Sequence, residues 1–383
     1  MSGEYTGASE EARDLTYGGG WQKIMMILAS PDVSEAKVNE FQHGVFIIKN
    51  GVNTIVDSIG WGNEASFFAD FEQTAWRSMH ASGFEDEKGK PIRPSKLRYL
   101  YEGALSYSFR NAQGQRDSVH ARLTMVLKPT IDSCPSVTIA KRSESLTTLQ
   151  SMVDNGTMNK DIAEFLRRAV VTKQSIIFSA GTGCGKTTML RACGNYFDPM
   201  ERVVVAEDAP ELQFSNVKDC VYLQSTPWRP GMSKNDEVTL SWCVAIANRM
   251  RMQRLIVGEC RGSEIHGWLN ASSSGVRGGM STFHANSPQE CLDRISMLDS
   301  EAEPGRDVVT INKGIAYALD FVIQLGKDNQ GHHWVEKISE ISKIVAKDTG
   351  MISTADIFEH VNGGFRNMLN QMSDEKRREM GYM

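Results

Sequence analysis

A glycine-rich run at residues 180–188 limits what this chain can fold into more than any other part of its sequence. The run reads AGTGCGKTT and follows an apolar segment, residues 175–178, that is typical of a short buried strand. A helical pattern begins near Lys186. Glycines let the backbone fold so closely that successive N–H groups point at one phosphate, and this geometry needs a strand before it and a helix after it. The run therefore predicts a phosphate-binding loop.

The residue types of this loop suit a nucleotide polyphosphate bound with magnesium. Lys186 would supply charge to the β and γ oxygens, and Thr187 would offer its hydroxyl to Mg²⁺. Ala180 stands in the first place of the pattern GxxxxGK[ST], which tolerates a small residue because it only opens the turn. The predicted nucleotide-binding residues are Gly181, Thr182, Gly183, Cys184, Gly185, Lys186, Thr187 and Thr188.

The loop lies within a long segment of alternating helices and strands. Residues 151–345 show this alternation, which is typical of an α/β domain. Residues 203–205 and 255–257 are fully apolar and indicate two more buried strands. Ser287, followed by a proline and then by Glu290, has the spacing of a capped helix start. We therefore expect a parallel sheet with helices around it.

The segments on either side of residues 151–345 carry no chemical motif, so only their type of structure is predicted. Residues 1–20 are predicted to be a mobile arm, residues 21–142 a smaller mixed α+β domain, and residues 143–150 a linker. Within the mixed domain, residues 49–51 predict a hairpin turn, and apolar spacing predicts a helix over residues 64–82. Residues 346–383 become increasingly charged and are predicted to form a helical tail.

Composition excludes several classes of protein. A chain of 383 residues can bury a sizeable core, and 47 acidic against 42 basic residues argues against a surface coated in positive charge for nucleic acid. The seven cysteines form no CxxC pair or zinc-ligand spacing, which fits a reducing cytoplasm. The first twenty residues lack the features of a signal peptide, and no run approaches the ~18 apolar residues of a membrane span. We therefore expect a cytoplasmic protein that meets a membrane only through partners.

Acidic residues follow two of the predicted strands, and a histidine follows a third strand-like run. Glu207 and Asp208 come after residues 203–206, and Glu259 comes after residues 255–258. In parallel sheets such positions lie at the edge where ligands bind. An acid after a strand can also be a solvated loop residue or a helix cap, and a lone histidine such as His284 is often structural. Their order behind a phosphate loop favours a functional role.

Four blocks in this order resemble the motifs of the secretion ATPases, the superfamily that drives type II and type IV secretion, conjugation and type IV pili. The blocks are AGTGCGKTT, VVVAEDAPEL, NRMRMQRLIVGECRG and GGMSTFHAN. They resemble Walker A, the Asp box, Walker B and the His box, and are closest in style to the conjugative type IV secretion and Tad-pilus branch. The resemblance implies a RecA-like P-loop ATPase domain preceded by a smaller α+β domain.

The resemblance also implies roles for individual residues. Glu207 would position water and Mg²⁺, Glu259 would be the Walker B acid, and His284 would contact the γ-phosphate. Arg249 and Arg251, with Arg254, match a basic cluster of the family and would stabilise transition-state charge or join subunits; a solvated helix face is the alternative. By this resemblance, Ala140 stands where the family has an N-terminal arginine, and the candidates that could substitute are Lys141, Arg142, Arg116 and Arg122.

The function implied by the resemblance is Mg²⁺-dependent ATP hydrolysis by a homo-oligomer, expected to be a hexamer. Such a motor would act at the inner membrane on components of a secretion, conjugation or pilus machine. Two alternatives remain open at this stage. One is a nucleic-acid translocase or helicase with the same core, which the negative net charge disfavours, and the other is a nucleotide-binding regulator that hardly hydrolyses.

Overall fold

The computed structural model describes residues 20–41, 44–74, 79–80, 100–110, 116–128, 130–131, 134–141, 147–226, 233 and 236–383. These residues divide into two compact units, the first formed chiefly by residues up to 141 and the second by residues from 147 onward. Of the predicted arm, residues 1–20, all but Gly20 lie outside the described residues, as do residues 143–146 of the predicted linker. Within the described residues, no helix is long and apolar enough to cross a bilayer.

The first unit contains an antiparallel sheet with two helices packed on it. Its described elements are α1 (Gly20–Ala29), β1 (Val33–Val38), β2 (Val45–Lys49), β3 (Val52–Val56), α2 (Glu64–Thr74), β4 (Met79–His80), β5 (Leu100–Arg110), β6 (Arg116–Val126) and β7 (Ser136–Lys141). The strands are ordered β3-β2-β1-β7-β6-β5-β4. This unit is the smaller α+β domain that the resemblance implied.

Turn chemistry and aromatic packing organise this unit. The predicted hairpin is confirmed: Asn50 and Gly51 join β2 to β3 with φ of 50° and 79°, as a tight hairpin turn requires. The predicted helix over residues 64–82 is wrong at its carboxyl end, because α2 ends at Thr74 and residues 79–80 pair as a strand with β5. Trp21 is fully buried, and its ring centroid lies 4.8 Å from that of Phe71 on α2.

The second unit is a large mixed sheet with helices on both faces. Its elements are α3 (Leu149–Asp154), α4 (Lys160–Val171), β8 (Ile176–Ser179), α5 (Lys186–Gly194), β9 (Arg202–Glu207), β10 (Asp219–Gln224), α6 (Leu240–Ala247), β11 (Arg254–Val257), α7 (Glu264–Ser273), β12 (Met280–Phe283), α8 (Pro288–Ala302), α9 (Val308–Ala318), β13 (Phe321–Lys327), β14 (His333–Val345), β15 (Ile352–Val361), β16 (Gly364–Asn367) and α10 (Asp374–Glu379).

The order of strands in this sheet is β10-β9-β11-β12-β8-β13-β14-β15-β16. Strands from β10 to β13 run parallel, and β13 to β16 run antiparallel. One apolar cluster joins α3, α4 and α5 to the sheet, and a second joins α6, α7, α8 and α9 to it. Strands buried on both faces read as continuous apolar runs, which is why residues 203–205 and 255–257 were recognisable.

Local signals explain where the helices begin. Asn159 caps α4 by accepting a hydrogen bond from the backbone N–H of Ile162, at 2.9 Å. Ser287 likewise caps α8, with Pro288 at the first turn, as predicted. Helix α5 is different: its N-cap is Gly185 with φ of 84°, and no side chain caps it. No side-chain cap therefore occupies the first backbone N–H groups of α5. Helices that bind an anion at their N-terminus have the same feature.

The carboxyl-terminal segment is not the helical tail predicted for residues 346–383. Residues 352–361 and 364–367 are strands β15 and β16, and only residues 374–379 form an α-helix. β15 pairs with β14 along most of its length and contains the strand-favouring residues Ile352, Ile357 and Phe358. A tight turn at Asn362 and Gly363 joins it to β16. Helix α10 then returns to α4 and β8, where Lys376 is buried beside Gln174 and Asp320.

Candidate active site

The phosphate loop begins where β8 ends, at the edge of the sheet where all the parallel strands end. The backbone N–H of Ala180 donates to the carbonyl of Phe283 at 3.2 Å, which ties the start of the loop to the end of β12. Gly183 and Gly185 have φ of 69° and 84°, a left-handed conformation that strains residues with a Cβ. The loop therefore has the conformation for which its glycines were predicted.

Lys186 is directed back over this loop. Its side chain is 7% exposed, and Nζ donates to the carbonyls of Ala180 at 3.1 Å and Gly181 at 2.9 Å. Nζ also lies 3.2 Å from Nδ1 of His284. Burial lowers the pKa of the Lys186 ammonium, and the Glu259 carboxylate opposes that shift. The ammonium is thus placed among acceptors that a polyphosphate could replace.

Glu259 and His284 come together from two neighbouring strands. Glu259 follows β11 and His284 follows β12, and Nε2 of His284 lies 2.8 Å from Oε1 of Glu259. The pair is close but not aligned as a hydrogen bond, since Oε1 is buried and accepts none. The backbone of the Glu259 segment is fixed by Thr282, whose hydroxyl donates to the Gly258 carbonyl at 2.7 Å.

Neighbouring charges set the ionisation of both side chains. Burial alone would raise the pKa of the Glu259 carboxyl, but the hydrogen bond and charge of Arg261, together with His284 and Lys186, hold it below its usual range. Burial and repulsion by Lys186 lower the pKa of the His284 imidazole, against attraction by Glu259. At neutral pH the site therefore holds a carboxylate, a neutral imidazole and an ammonium within contact of one another.

Glu207 lies at the end of β9, beside the Glu259 segment. Its carboxylate accepts hydrogen bonds from the backbone N–H groups of Glu211 and Leu212, at 3.2 and 3.1 Å. A methyl group built on Gly258 would lie 2.8 Å from Cγ of Glu207, so only glycine permits this approach. Asp208, next in the chain, is exposed. Its carboxylate accepts a hydrogen bond from the Ser225 hydroxyl at 2.6 Å.

The basic cluster before β11 separates into two kinds of residue. Arg249 and Arg251 are exposed and precede β11, so they lie at the edge where the parallel strands begin, opposite the phosphate loop. Arg254 is 1% exposed and pairs with buried Glu201 at 3.2 Å. It also donates to the Gly278 carbonyl at 2.8 Å. The structure does not bring any of these three arginines to the loop of their own chain.

One basic residue at the site was not singled out from the sequence. Arg261 donates to Oε2 of Glu259 at 2.5 Å while its own side chain stays 61% exposed. The signal was present, because Arg261 follows Glu259 by two positions in the GECRG block. Arg261 was missed because the basic cluster matched by the family resemblance precedes β11, whereas Arg261 follows that strand.

This fold and site define a class: a P-loop protein with a RecA-like α/β domain whose phosphate loop, acids and histidine meet at one sheet edge. Residues 111–356 match the family model of type II/IV secretion system proteins, and the chain belongs to that family. The predicted resemblance and fold class are therefore confirmed.

Individual relatives agree with this membership. A protein of Mycobacterium tuberculosis assigned to conjugal transfer is 29% identical over 275 residues, covering 66% of this chain and 76% of the relative. The type IV secretion system protein VirB11 of Brucella suis is 29% identical over 189 residues, 47% of this chain and 50% of that protein. The X-ray structure of the Legionella pneumophila ATPase DotB shares the fold, with a TM-score of 0.57 at 15% identity, over 94% of this chain and 83% of that one.

Proposed function

We propose that this protein hydrolyses ATP to ADP and phosphate and converts the energy into work on a secretion, conjugation or pilus machine. The observation that carries the proposal is the convergence of Lys186, Glu259 and His284 at the end of the phosphate loop. A loop that only bound nucleotide would need Lys186 but not a carboxylate and an imidazole held beside it. Family membership supports the same function.

Each of the three side chains has a separate task in this proposal. Lys186 exchanges its two carbonyl partners for the β and γ oxygens and offsets the charge that builds there during in-line attack by water. Glu259, held ionised, accepts a hydrogen bond from the attacking water through its unpartnered Oε1. His284, neutral near pH 7, can donate one ring N–H to a γ-phosphate oxygen.

The residues present fit a magnesium ion bound together with the nucleotide. Among the described residues, no group of three or more histidine, cysteine, aspartate or glutamate side chains could hold a metal. Mg²⁺ usually takes one or two protein oxygens plus phosphates and water, so this agrees with a shared site. Thr187 and Glu207 are the proposed ligands, and Oε1 of Glu259 could accept from a metal-bound water. When bound, the ion would neutralise phosphate charge.

The proposal extends to assembly and location. We propose a homo-oligomer, expected to be a hexamer, in which residues 21–142 form the N-terminal domain. The motor domain extends beyond the predicted bounds of 151–345, because α3 begins at Leu149 within the predicted linker, 143–150, and β15 and β16 belong to the motor sheet. Arg249 and Arg251, exposed on the edge opposite their own phosphate loop, are available to a neighbouring subunit. The motor would act in the cytoplasm at the inner membrane, attached through machine components and without direct nucleic-acid binding.

Phosphate release from purified protein tests the enzymatic part directly. The Lys186→Ala variant should lose ATP turnover, because it removes the ammonium that contacts the carbonyls of Ala180 and Gly181 beside the His284 ring. Lys347→Ala is the matched control, since Lys347 is an exposed lysine of the same unit in the loop after β14. Equal phosphate release by Lys186→Ala and Lys347→Ala would contradict the proposal.

A further inference from the structure

Strand β13 extends past the end of β8 and runs beside the phosphate loop. The two strands pair in parallel from Phe321↔Ile176 to Gln324↔Ser179, where β8 ends. β13 continues for three more residues to Lys327, which pairs with His333 at the start of β14. Because the loop leaves the sheet directly after Ser179, the end of the β13–β14 hairpin is its neighbour on this side.

Two side chains of this hairpin end reach the loop. A methyl group built on Gly183 would lie 3.7 Å from the Lys327 ammonium, and one built on Gly185 would lie 3.6 Å from Nδ1 of His333. Burial lowers the pKa of the His333 imidazole, and the nearby backbone of Gly183 opposes that shift. Directly opposed residues of an antiparallel pair present their side chains on one face. Lys327 and His333 therefore contact the loop together.

The hairpin end is held in place by its own turn. Asp328 accepts a hydrogen bond from the backbone N–H of His332 at 2.9 Å, and its second oxygen lies 3.0 Å from Nδ1 of the His332 ring. The backbone N–H of Asp328 donates to the His332 carbonyl at 3.1 Å. The carboxylate of Asp328 is thus engaged with His332 across the turn, while the neighbouring Lys327 is directed at the loop.

Lys327 lies on the opposite flank of the loop from the hydrolytic residues. β8 sits between β12 and β13 in the sheet. His284 follows β12 and Glu259 follows β11, so both approach from one side, and Lys327 approaches from the other. A cation on this second flank faces the part of a bound polyphosphate that is farther from the γ-phosphate.

We infer that Lys327 binds the phosphates that ADP and ATP share, and that His333 is a positioning residue that holds Gly183 for the same interaction. The inference rests on the proposed function, because it assigns a second cation to the same nucleotide site. The ligand class is a nucleoside di- or triphosphate. A contact to the shared phosphates binds ground state and transition state alike, so its loss weakens binding without slowing the chemical step.

The test compares ADP and ATP affinity in the full-length protein and in single variants. Lys327 is an exposed side chain, so Lys327→Ala should raise the Kd for ADP by up to about tenfold, in line with loss of one solvent-exposed charge-assisted contact to phosphate. KM for ATP should rise by a similar factor, while kcat at saturating ATP stays within about twofold of the parent. The matched control is again Lys347→Ala, which should leave both nucleotide affinities unchanged.

Variants of His333 separate positioning from folding. His333→Ala should weaken ADP binding at an unchanged melting temperature of the nucleotide-free protein. His333→Gln should restore much of the affinity, because its amide N–H can donate to the Gly183 carbonyl. If the alanine variant instead lowered the melting temperature and left ADP affinity intact, the positioning role would be wrong.

The outcomes distinguish this inference from the proposed function. Parent protein that binds no ADP or ATP would defeat the proposed function and this inference together. Parent protein that binds and hydrolyses ATP, with Lys327→Ala binding ADP equally well, would overturn this inference alone. A fall in kcat without a change in ADP affinity would also overturn it, since that result would place Lys327 at the hydrolytic end.

Discussion

Nδ1 of His284 lies 3.2 Å from the ammonium nitrogen of Lys186, although the two residues are 98 positions apart in the chain. An imidazole this close to an ammonium is disfavoured as a cation, and burial acts in the same direction. Glu259 opposes both effects, with Oε1 at 2.8 Å from Nε2, a nitrogen that is 3.4 Å from the Lys186 ammonium. The protonation state of His284 therefore reports directly on whether these three side chains have the arrangement described.

A pH titration of His284 by NMR should give a pKa below the ordinary 6.5 of histidine. Lys186→Ala should raise this pKa, because it removes a repulsive charge, and Glu259→Gln should lower it further, because it removes an attractive one. A His266→Asn variant, changed on helix α7, serves as the control and should leave the His284 titration unaltered. Shifts of the opposite sign would mean that the three groups are not neighbours.

The lowered pKa of His284 makes the stability of the folded protein depend on pH. In the unfolded chain, His284 takes up a proton below about pH 6.5. In the folded protein its pKa is lower, so the imidazole stays neutral to a lower pH. The contribution of His284 to the free energy of unfolding therefore falls as the pH drops below about 6.5. Between about pH 7 and pH 5.5, a His284→Asn variant should lose less stability than the parent in urea titrations. A larger loss in the variant would contradict the depressed pKa.

Substitution of Gly185 should separate backbone strain from nucleotide binding. Gly185→Ala forces an alanine to φ of 84° and should cost about 1–2 kcal/mol of stability as well as nucleotide binding. Gly275 has φ of 102° and open space around it, so Gly275→Ala is a matched control with similar strain at a remote site. The control should lose stability but bind ADP normally. Normal ADP binding by Gly185→Ala would argue against a phosphate role for the loop.

Arg254 should behave as a structural residue and Arg249 as a surface residue. Arg254→Ala leaves the buried Glu201 carboxylate with Lys173 as its remaining cationic partner and should lower the free energy of unfolding by about 2–4 kcal/mol. Arg249→Ala should change stability by about 0.5 kcal/mol or less, since its side chain is exposed. Urea unfolding of both variants checks this. Parent-like stability of Arg254→Ala would show that the buried pair does not hold the fold.

Lys376 should anchor helix α10 to the rest of its unit. Its ammonium lies 2.8 Å from Asp320 and 2.8 Å from Glu379, and it donates to the Gln174 side chain at 2.8 Å. Lys376→Met leaves Asp320 with Lys343 as its remaining ammonium partner and should destabilise the protein by about 2–4 kcal/mol. The measurement is a urea unfolding curve, with Lys347→Ala as control. An unchanged free energy of unfolding would mean that the contacts of Lys376 give no net stabilisation.

Sequence reasoning succeeded where the structure depends on local or strongly periodic signals. The phosphate loop needs its glycines at fixed positions, the strands before Glu207 and Glu259 are unbroken apolar runs, and the start of α8 has its own capping signal. Because parallel strands end at one edge, the meeting of Glu259 with His284 also follows from the order of the strands. The loop, the strands and the helix start could be predicted without long-range information, whereas the contact between Glu259 and His284 requires β11 and β12 to be neighbours.

The error at β15 was local: Asn362 and Gly363, with φ of 52° and 78°, form the turn of the β15–β16 hairpin, a signal that the predicted helical tail overlooked. The other failures share a different cause, which is long-range contact. The separation of buried Arg254 from exposed Arg249 depends on the position of Glu201, more than fifty residues earlier in the chain. The contacts of Lys327 and His333 with the loop depend on the register between β13 and β8. Such information is absent from any short stretch of sequence.

The central claim is that Glu259 serves hydrolysis and is not needed for nucleotide binding. It is tested most directly by measuring ATP binding and single-turnover phosphate release on the same Glu259→Gln protein. The glutamine keeps the shape of the side chain but removes the carboxylate held ionised beside His284. We predict ATP affinity within a few-fold of the parent and phosphate release slowed by about 10²-fold or more. Phosphate release at the parental rate with unchanged binding would contradict the account.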